Sequence, residues 1–341
     1  MGALSMTREG TLNKFAIAIL IAATSAVAGS SGYKEARTFT IGGNGFWDYV
    51  TVDSPGRRIF VTHATEVDVV SLDTGKVIGK IPDTPGVHGV ALAPDAGKGF
   101  ITAGQANAVV VFDLKTLKTI RRLSVGKKPD ATIYDESTGS VLVFNGDSDS
   151  ASVIDARHAV VTGTVPLGGA PEFAAADGKG KVFVNLEDKS QVVEFDPKAL
   201  KVDHTWPLAP CQSPSAMSMD RAARRLFIGC RNQRMAVVNA DTGSVVTTLP
   251  IGRGVDAGRF DPVTKFAFAS CGDGTTTVVH VDGNDHYSVV DTLHTRVSAR
   301  TMGLDPKTHA IYLPFAETKP NPQGGRPLIV PGSFAVLEMT R

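Results

Sequence analysis

Short apolar runs alternate with clusters of turn residues along most of the chain. The segment 88–129 shows the pattern once, with apolar runs at Val90–Ala93, Gly99–Thr102, Val109–Phe112 and Thr119–Val125. Pro, Asp, Gly and Asn fill the intervals between these runs. Short β-forming runs bounded by such turns predict four antiparallel strands.

The same pattern recurs along the chain. Its first strands open, with successive spacings of 40, 42, 42, 43, 41 and 44 residues, at Asp48, His88, Asp130, Glu172, Ser215, Asp256 and Arg300. A period of about 40 residues is typical of a four-stranded propeller blade and too long for a leucine-rich or ankyrin repeat. The 341 residues therefore predict one closed ring rather than two domains.

Two further features keep the same register in successive repeats. The second strand contains runs such as Phe60–His63 and Phe183–Asn185, and the third strand ends in an Asp such as Asp73, followed by a Thr-Gly turn. On these motifs the sequence resembles the YVTN-repeat, or YncE-like, family of bacterial seven-bladed β-propellers over residues 36–341. The resemblance implies an all-β fold of four-stranded antiparallel blades. It implies little about activity, because the family and its relatives include periplasmic proteins, surface-layer proteins and lactonase-like enzymes.

The two ends of the predicted propeller domain, residues 36–341, complement each other. Residues 33–41 resemble a fourth strand that precedes the first full repeat, whereas the last repeat ends at Phe334–Met339, which matches a third strand. We therefore expect the N-terminal strand to complete the last blade, because an unpaired sheet edge would otherwise remain exposed.

The first 28 residues have the pattern of a signal peptide. Arg8 and Lys14 precede the apolar run 15–24, and Ala26-Val-Ala28 matches a cleavage signal. The alternative is a membrane anchor, but the apolar stretch 15–28 is shorter than the roughly 20 residues that span a bilayer. The sequence predicts a periplasmic or secreted protein with no membrane attachment after cleavage.

The charge balance argues against nucleic acid as a partner. Removing residues 1–28 takes away Arg8, Lys14 and Glu9 and leaves 33 basic and 33 acidic residues. Binding to nucleic acid rests on a basic patch or a strong charge excess, and the basic pairs of this chain are isolated. We expect a monomer whose partner is a small molecule or a protein.

Candidate chemistry lies where the repeats differ. By symmetry, the opening positions of the first strands converge on one end of the central channel, which we call the mouth. Clustered carboxylates there repel one another unless they are protonated, paired with Arg300 or bridged by a cation. The predicted ligand-binding residues are Asp48, His88, Asp130, Glu172, Asp256 and Arg300, with His63 and Asn145 as further candidates.

A divalent cation is the cofactor that these residue types suit. The candidate metal ligands are Asp48, His88, Asp130 and Glu172, and oxygen ligands with one His suit Ca²⁺, Mn²⁺ or Zn²⁺. The alternative is structural: acidic residues at one repeat position bond backbone amides in the turn before each strand.

Three functions remain open at this point. The favoured one is a binding or interaction protein with its site at the mouth. A lactonase-like hydrolase needs a metal and a base among the same residues, and a pure scaffold predicts a channel plugged by side chains. No nucleophile elbow, P-loop, haem motif or zinc-protease motif is present, so the catalytic residues stay unassigned.

The remaining sequence features are a long insertion and three cysteines. The insertion, residues 316–332 of the last repeat, is placed to cover the mouth. An odd number of cysteines in an exported protein predicts one disulfide and one free thiol. Cys211 and Cys230 lie on the same face, which favours their pairing; the rival pair is Cys230 with Cys271.

Overall fold

The computed structural model of this protein describes residues 1–2, 30–325 and 327–341. The predicted signal peptide, residues 1–28, lies outside the described residues apart from Met1 and Gly2. Seven four-stranded antiparallel sheets form the blades of a β-propeller, and a two-stranded hairpin is added to them. The predicted fold class is confirmed.

The strands follow the repeats predicted from the sequence. Strand β1, Lys34–Thr40, precedes the first repeat. Blade 1 contains β2, Trp47–Asp53; β3, Arg58–His63; β4, Glu66–Ser71; and β5, Val77–Ile81. Blade 2 contains β6, Val87–Ala93; β7, Lys98–Ala103; β8, Ala108–Asp113; and β9, Thr119–Ser124. Blade 3 contains β10, Pro129–Asp135; β11, Ser140–Asn145; β12, Ser150–Asp155; and β13, Val160–Pro166. Short 3-10 turns connect strands of blades 2 and 3 at Pro94–Ala96, Gly104–Ala106 and Gly146–Ser148.

The second half of the ring repeats the arrangement. Blade 4 contains β14, Pro171–Ala176; β15, Val182–Leu186; β16, Gln191–Asp196; and β17, Lys201–Pro207. Blade 5 contains β18, Pro214–Asp220; β19, Arg225–Cys230; β20, Arg234–Asn239; and β21, Val245–Pro250. Blade 6 contains β22, Val255–Asp261; β23, Phe266–Cys271; β24, Thr275–Gly283; and β25, His286–His294. Blade 7 contains β26, Gly303–Leu304; β27, Ile311–Phe315; the hairpin of β28, Thr318–Lys319, with β29, Leu328–Ile329; and β30, Ala335–Thr340.

The second strands lie inside the sandwich of neighbouring blades. Strand β11, for example, is buried at every position, and a strand buried on both faces has a nearly continuous apolar sequence. Aromatic rings join the blades at this layer. The ring centroids of Phe60 and Phe112 lie 5.6 Å apart between blades 1 and 2, and those of Phe144 and Phe195 lie 6.5 Å apart between blades 3 and 4.

The N-terminal strand completes blade 7, as the sequence predicts. Strand β1 pairs antiparallel with β30, so that sheet has the order β1-β30-β27-β26. The Arg37 guanidinium donates to the Glu338 carboxylate at 2.6 Å, and the Tyr312 hydroxyl donates to the same carboxylate at 2.9 Å. Phe39 is buried beneath this pairing. The ring therefore closes through contacts between the two ends of the domain.

Blade 7 departs most from the repeat. Its first strand has two residues, whereas the third and fourth strands of blade 6, β24 and β25, have nine each.

Cys211 and Cys230 form a disulfide with Cα atoms 5.7 Å apart, and Cys271 is a buried free thiol. No helix among the described residues is long and apolar enough to cross a membrane.

Candidate functional site

The first strands of successive blades contact one another around the central channel. Their opening residues meet at one end, around a cavity of about 710 Å³ that we call the bowl. All six predicted ring residues line the bowl, namely Asp48, His88, Asp130, Glu172, Asp256 and Arg300. Ser215, the opening residue of blade 5, is buried instead and donates from its hydroxyl to the Val255 carbonyl at 2.8 Å.

Aromatic side chains close the channel beneath the bowl. Tyr49 of blade 1 reaches across to Phe173 of blade 4, and their ring centroids lie 5.3 Å apart in an edge-to-face contact. The Arg259 guanidinium also packs against Phe173 and lies 4.9 Å from its ring centroid. Burial lowers the pKa of Arg259 to about 10. The channel is therefore plugged, as a scaffold predicts, but the plug is the floor of an open bowl.

One side of the bowl brings two carboxylates to a histidine. His88 Nδ1 lies 2.7 Å from Asp48 Oδ2 and 3.6 Å from Asp130 Oδ1. Burial by itself lowers the pKa of His88, but the hydrogen bond to Asp48 and the charge of Asp130 outweigh it, so the net shift is upward. Burial raises the pKa of Asp48 to about 6, although its hydrogen bond to His88 acts in the opposite direction.

Arginine side chains neutralise the opposite side. The Arg300 guanidinium donates to Asp256 Oδ2 at 2.7 Å and to the Trp47 carbonyl at 3.0 Å, and it lies 3.6 Å from Asp48 Oδ1. Arg231 lies 3.8 Å from Asp256 Oδ1 and contacts the Glu187 carboxylate. Burial raises the pKa of Asp256 even though both guanidinium groups oppose the shift.

The remaining ring residue, Glu172, forms a carboxyl pair with Glu187. Burial raises the pKa of Glu172 to about 10, and the charge of Asp130 and a hydrogen bond with Glu187 add to the rise. Glu172 is therefore protonated at neutral pH and offers a hydrogen-bond donor. The mouth residues bond mainly to one another's side chains, whereas the structural alternative assigned them to backbone amides.

Comparison with known proteins identifies no family for this chain. The chain matches no protein-family model and no curated protein.

His63 and Asn145, the two further candidates, are not among the residues that line the bowl. His63 is 3% exposed; its Nδ1 lies 3.2 Å from Asp68 Oδ2, and its ring packs against Phe334. Asn145 is fully buried and donates from its amide to the hydroxyl groups of two serines of the next strand. Both residues are held within the blade sandwich by partners on the third strand.

Residues that sequence reasoning missed complete the bowl. Glu187 and Arg231 directly follow the second strands of blades 4 and 5, and Tyr49 follows Asp48. A signal for the first two exists in the sequence. The residue after the second strand is small in the other five blades, where it is Ala64, Gly104, Gly146, Gly272 and Ala316. Large charged residues at this position in two blades break the pattern and narrow the bowl.

Part of the rim of the bowl is apolar, whereas its interior is lined by charged side chains. Val297 is 65% exposed and lines the bowl together with Pro327 and Ile329 of the blade 7 insertion. A second depression, of about 770 Å³, adjoins the bowl over blades 1 to 3 and shares six lining residues with it, among them Asp48, His88 and Arg300. The insertion thus forms part of one wall of the bowl.

The chemistry of the bowl centres on one group of potential cation ligands. Asp48, His88 and Asp130 each offer a ligand atom, and these atoms lie within 4.8 Å of one another. Glu172, the fourth predicted metal ligand, lines the same bowl, but its hydrogen bond is with Glu187.

Proposed function

We propose that this protein is an exported propeller of the YVTN-repeat type that binds a divalent cation in the bowl through Asp48, His88 and Asp130. One observation carries the proposal: two carboxylates and an imidazole bring ligand atoms within 4.8 Å of one another in an open cavity. The three side chains are between 15% and 27% exposed, so a cation bound there is partly desolvated and still accessible.

The electrostatics of the site favour such a cation. The His88 ring nitrogen that faces both carboxylates bears a proton when it donates to Asp48, and a cation bound between the three side chains takes the place of that proton. Cation binding then releases protons, since metal ligands must be deprotonated. Oxygen and imidazole ligands suit Ca²⁺, Mn²⁺ or Zn²⁺.

The cation site would serve a binding protein in the periplasm or outside the cell. A monomeric propeller with a bowl of this volume accommodates a small ligand or a side chain of a partner protein beside the ion.

Metal analysis tests the proposal. The protein is purified from a periplasmic extract without chelator, together with the Asp130→Asn variant and an Asp147→Asn control. Asp147 lies on the same face, but its carboxylate is 62% exposed and lies 3.8 Å from the Lys128 ammonium. We expect about one metal ion per chain in the parent and in the control, and its loss in Asp130→Asn. Metal-free parent protein that also fails to take up Ca²⁺, Mn²⁺ or Zn²⁺ on titration contradicts the proposal.

A second candidate function, metal-assisted hydrolysis, is supported by the carboxyl pair. Protonated Glu172 beside Glu187 supplies a proton donor and a proton acceptor in the same bowl as the proposed cation, which is the combination that ester or lactone hydrolysis requires. Hydrolysis of lactones by the metal-loaded parent, abolished in Glu172→Gln with metal content unchanged, would support this activity. Parent protein that binds metal and turns over no lactone or ester would exclude it.

A further inference from the structure

The charges of the bowl are distributed unevenly. Among the residues that the structure describes, its lining includes five carboxyl groups against two guanidinium groups and the Lys128 ammonium. Both guanidinium groups lie beside Asp256, and the Lys128 ammonium is nearest to Asp147. Arg231 also contacts Glu187, and Arg300 lies near Asp48. Of these described lining residues, the carboxyl groups without a guanidinium partner are therefore those of Asp130 and Glu172, in blades 3 and 4.

Asp130 is the least satisfied of these carboxylates. Its side chain is 20% exposed, and its nearest charged partner is His88 Nδ1 at 3.6 Å, beyond hydrogen-bond distance. In the part of the chain that the structure describes, no group donates a hydrogen bond to this carboxylate. Because this carboxylate is only partly exposed to water and has no protein donor among those residues, its position favours a ligand that brings N–H donors and positive charge.

The opposite wall offers apolar surface. Val297, Pro327 and Ile329 line the bowl on the side of blade 7, and Val297 is 65% exposed. A hydrated metal ion gains nothing from apolar contacts, whereas a hydrocarbon group placed against this wall buries apolar area at about 25 cal/mol per Å². The wall therefore suits a ligand with an apolar part.

We propose that the organic ligand of the bowl is an alkylammonium group, a primary amine on a hydrocarbon body such as a lysine side chain or a diamine. Its ammonium group donates to Asp130, for which it has three N–H donors, and its hydrocarbon part lies against Val297 and Ile329. This inference does not depend on the metal site, although both proposals place a positive charge beside Asp130.

Calorimetric titration with three probes of nearly equal shape tests the inference. The probes are n-hexylammonium, 1-hexanol and hexanoate, with methylammonium as a fourth probe that lacks the chain. We expect n-hexylammonium to bind at least roughly tenfold more tightly than 1-hexanol, since a charged hydrogen bond contributes about that factor. Hexanoate should bind more weakly still, because its charge is repelled by the carboxyl groups.

Two variants separate the polar and the apolar contacts. Asp130→Asn should weaken n-hexylammonium binding about tenfold and leave 1-hexanol binding nearly unchanged. Val297→Ser alters an exposed residue and should not affect folding. It should weaken n-hexylammonium binding and leave methylammonium and Mn²⁺ binding unchanged.

Other results overturn the inference. Equal affinities for n-hexylammonium and 1-hexanol do so, as does n-hexylammonium binding that is unaffected by both variants. Mn²⁺ binding without any n-hexylammonium binding overturns this inference and leaves the proposed cation site standing. Binding of n-hexylammonium that depends on Asp130 in a protein that takes up no divalent metal supports this inference and contradicts the metal site.

Discussion

Burial in the bowl opposes the charged forms of single acidic residues and so raises their pKa values. Glu172 shows this most clearly, because its carboxyl group is partly buried and lies among other carboxyl groups. Its pKa of about 10 lies far above the ordinary value of 4.5. The folded state therefore binds this proton more tightly than the unfolded state does. That contribution to stability is fully present below the ordinary pKa and is lost as the pH rises toward the folded-state pKa.

Replacing Glu172 by Gln should therefore stabilise the protein at neutral and alkaline pH. Gln keeps a hydrogen-bond donor and cannot ionise, so the free energy of unfolding at pH 8 should rise by on the order of 2 kcal/mol. At pH 4 parent and variant should be nearly equal. Denaturant unfolding at the two pH values measures the difference. The control is Glu136→Gln, which alters an exposed surface pair. A variant less stable than the parent at pH 8 would refute the pKa direction.

The sequence predicted the ring residues but not their partners. The repeat register alone places Asp48, His88, Asp130 and Glu172 at one end of the channel, because every blade uses its first strand in the same way. Glu187 lies fifteen positions after Glu172 in the chain, on the loop beyond the next strand. That it meets Glu172 follows from loop geometry, which the apolar pattern does not encode.

At the scale of elements, the closing strand and the disulfide hold the ring and its bowl in place. Strand β1 bonds to β30 along its length, so its loss exposes an edge of blade 7 and removes the buried Phe39 side chain, which belongs to β1, from the core. The disulfide anchors the loop that begins at Arg231, one residue beyond Cys230. Arg231 in turn contacts both Glu187 and Asp256.

Truncating Phe39 tests the closing strand. Phe39 is 3% exposed and packs near Tyr312, with ring centroids 6.3 Å apart. Phe39→Ala should lower the free energy of unfolding by about 3–4 kcal/mol, measured by denaturant titration. Thr38→Ala, on the exposed face of the same strand, should cost less than about 1 kcal/mol. Equal losses in the two variants would show that the strand does not stabilise the ring.

Removing the disulfide tests the second anchor. The two cysteines are 19 positions apart, and a closed loop of that length corresponds to about 3 kcal/mol of stabilisation. We expect the Cys211→Ala, Cys230→Ala double variant to lose stability of that order, and Cys271→Ala to lose less. Chemical reduction of the parent should reproduce the double variant. A parent whose unfolding midpoint is unchanged by reduction would show that the crosslink is dispensable.

At the scale of the whole molecule, the propeller brings residues from distant repeats to one end of a closed ring. The repeat period and strand order were predictable because each blade restates the same short pattern, and the closing strand was predictable because the last repeat lacks its fourth strand. The plug of Tyr49 and Phe173 was not, since two large side chains from blades 1 and 4 meet only across the channel. The bowl lies above this plug. The residue after the second strand is small in five of the seven blades, and this leaves space at the mouth.

The most direct test of this account is anomalous diffraction from a crystal of the protein soaked in Mn²⁺. The account predicts one strong anomalous peak within the bowl, bounded by the carboxylates of Asp48 and Asp130 and the imidazole of His88, and absent from Asp130→Asn crystals. A parent crystal with no peak in the bowl, or with its strongest peak at another site, would contradict the claim that the mouth of the propeller is a cation site.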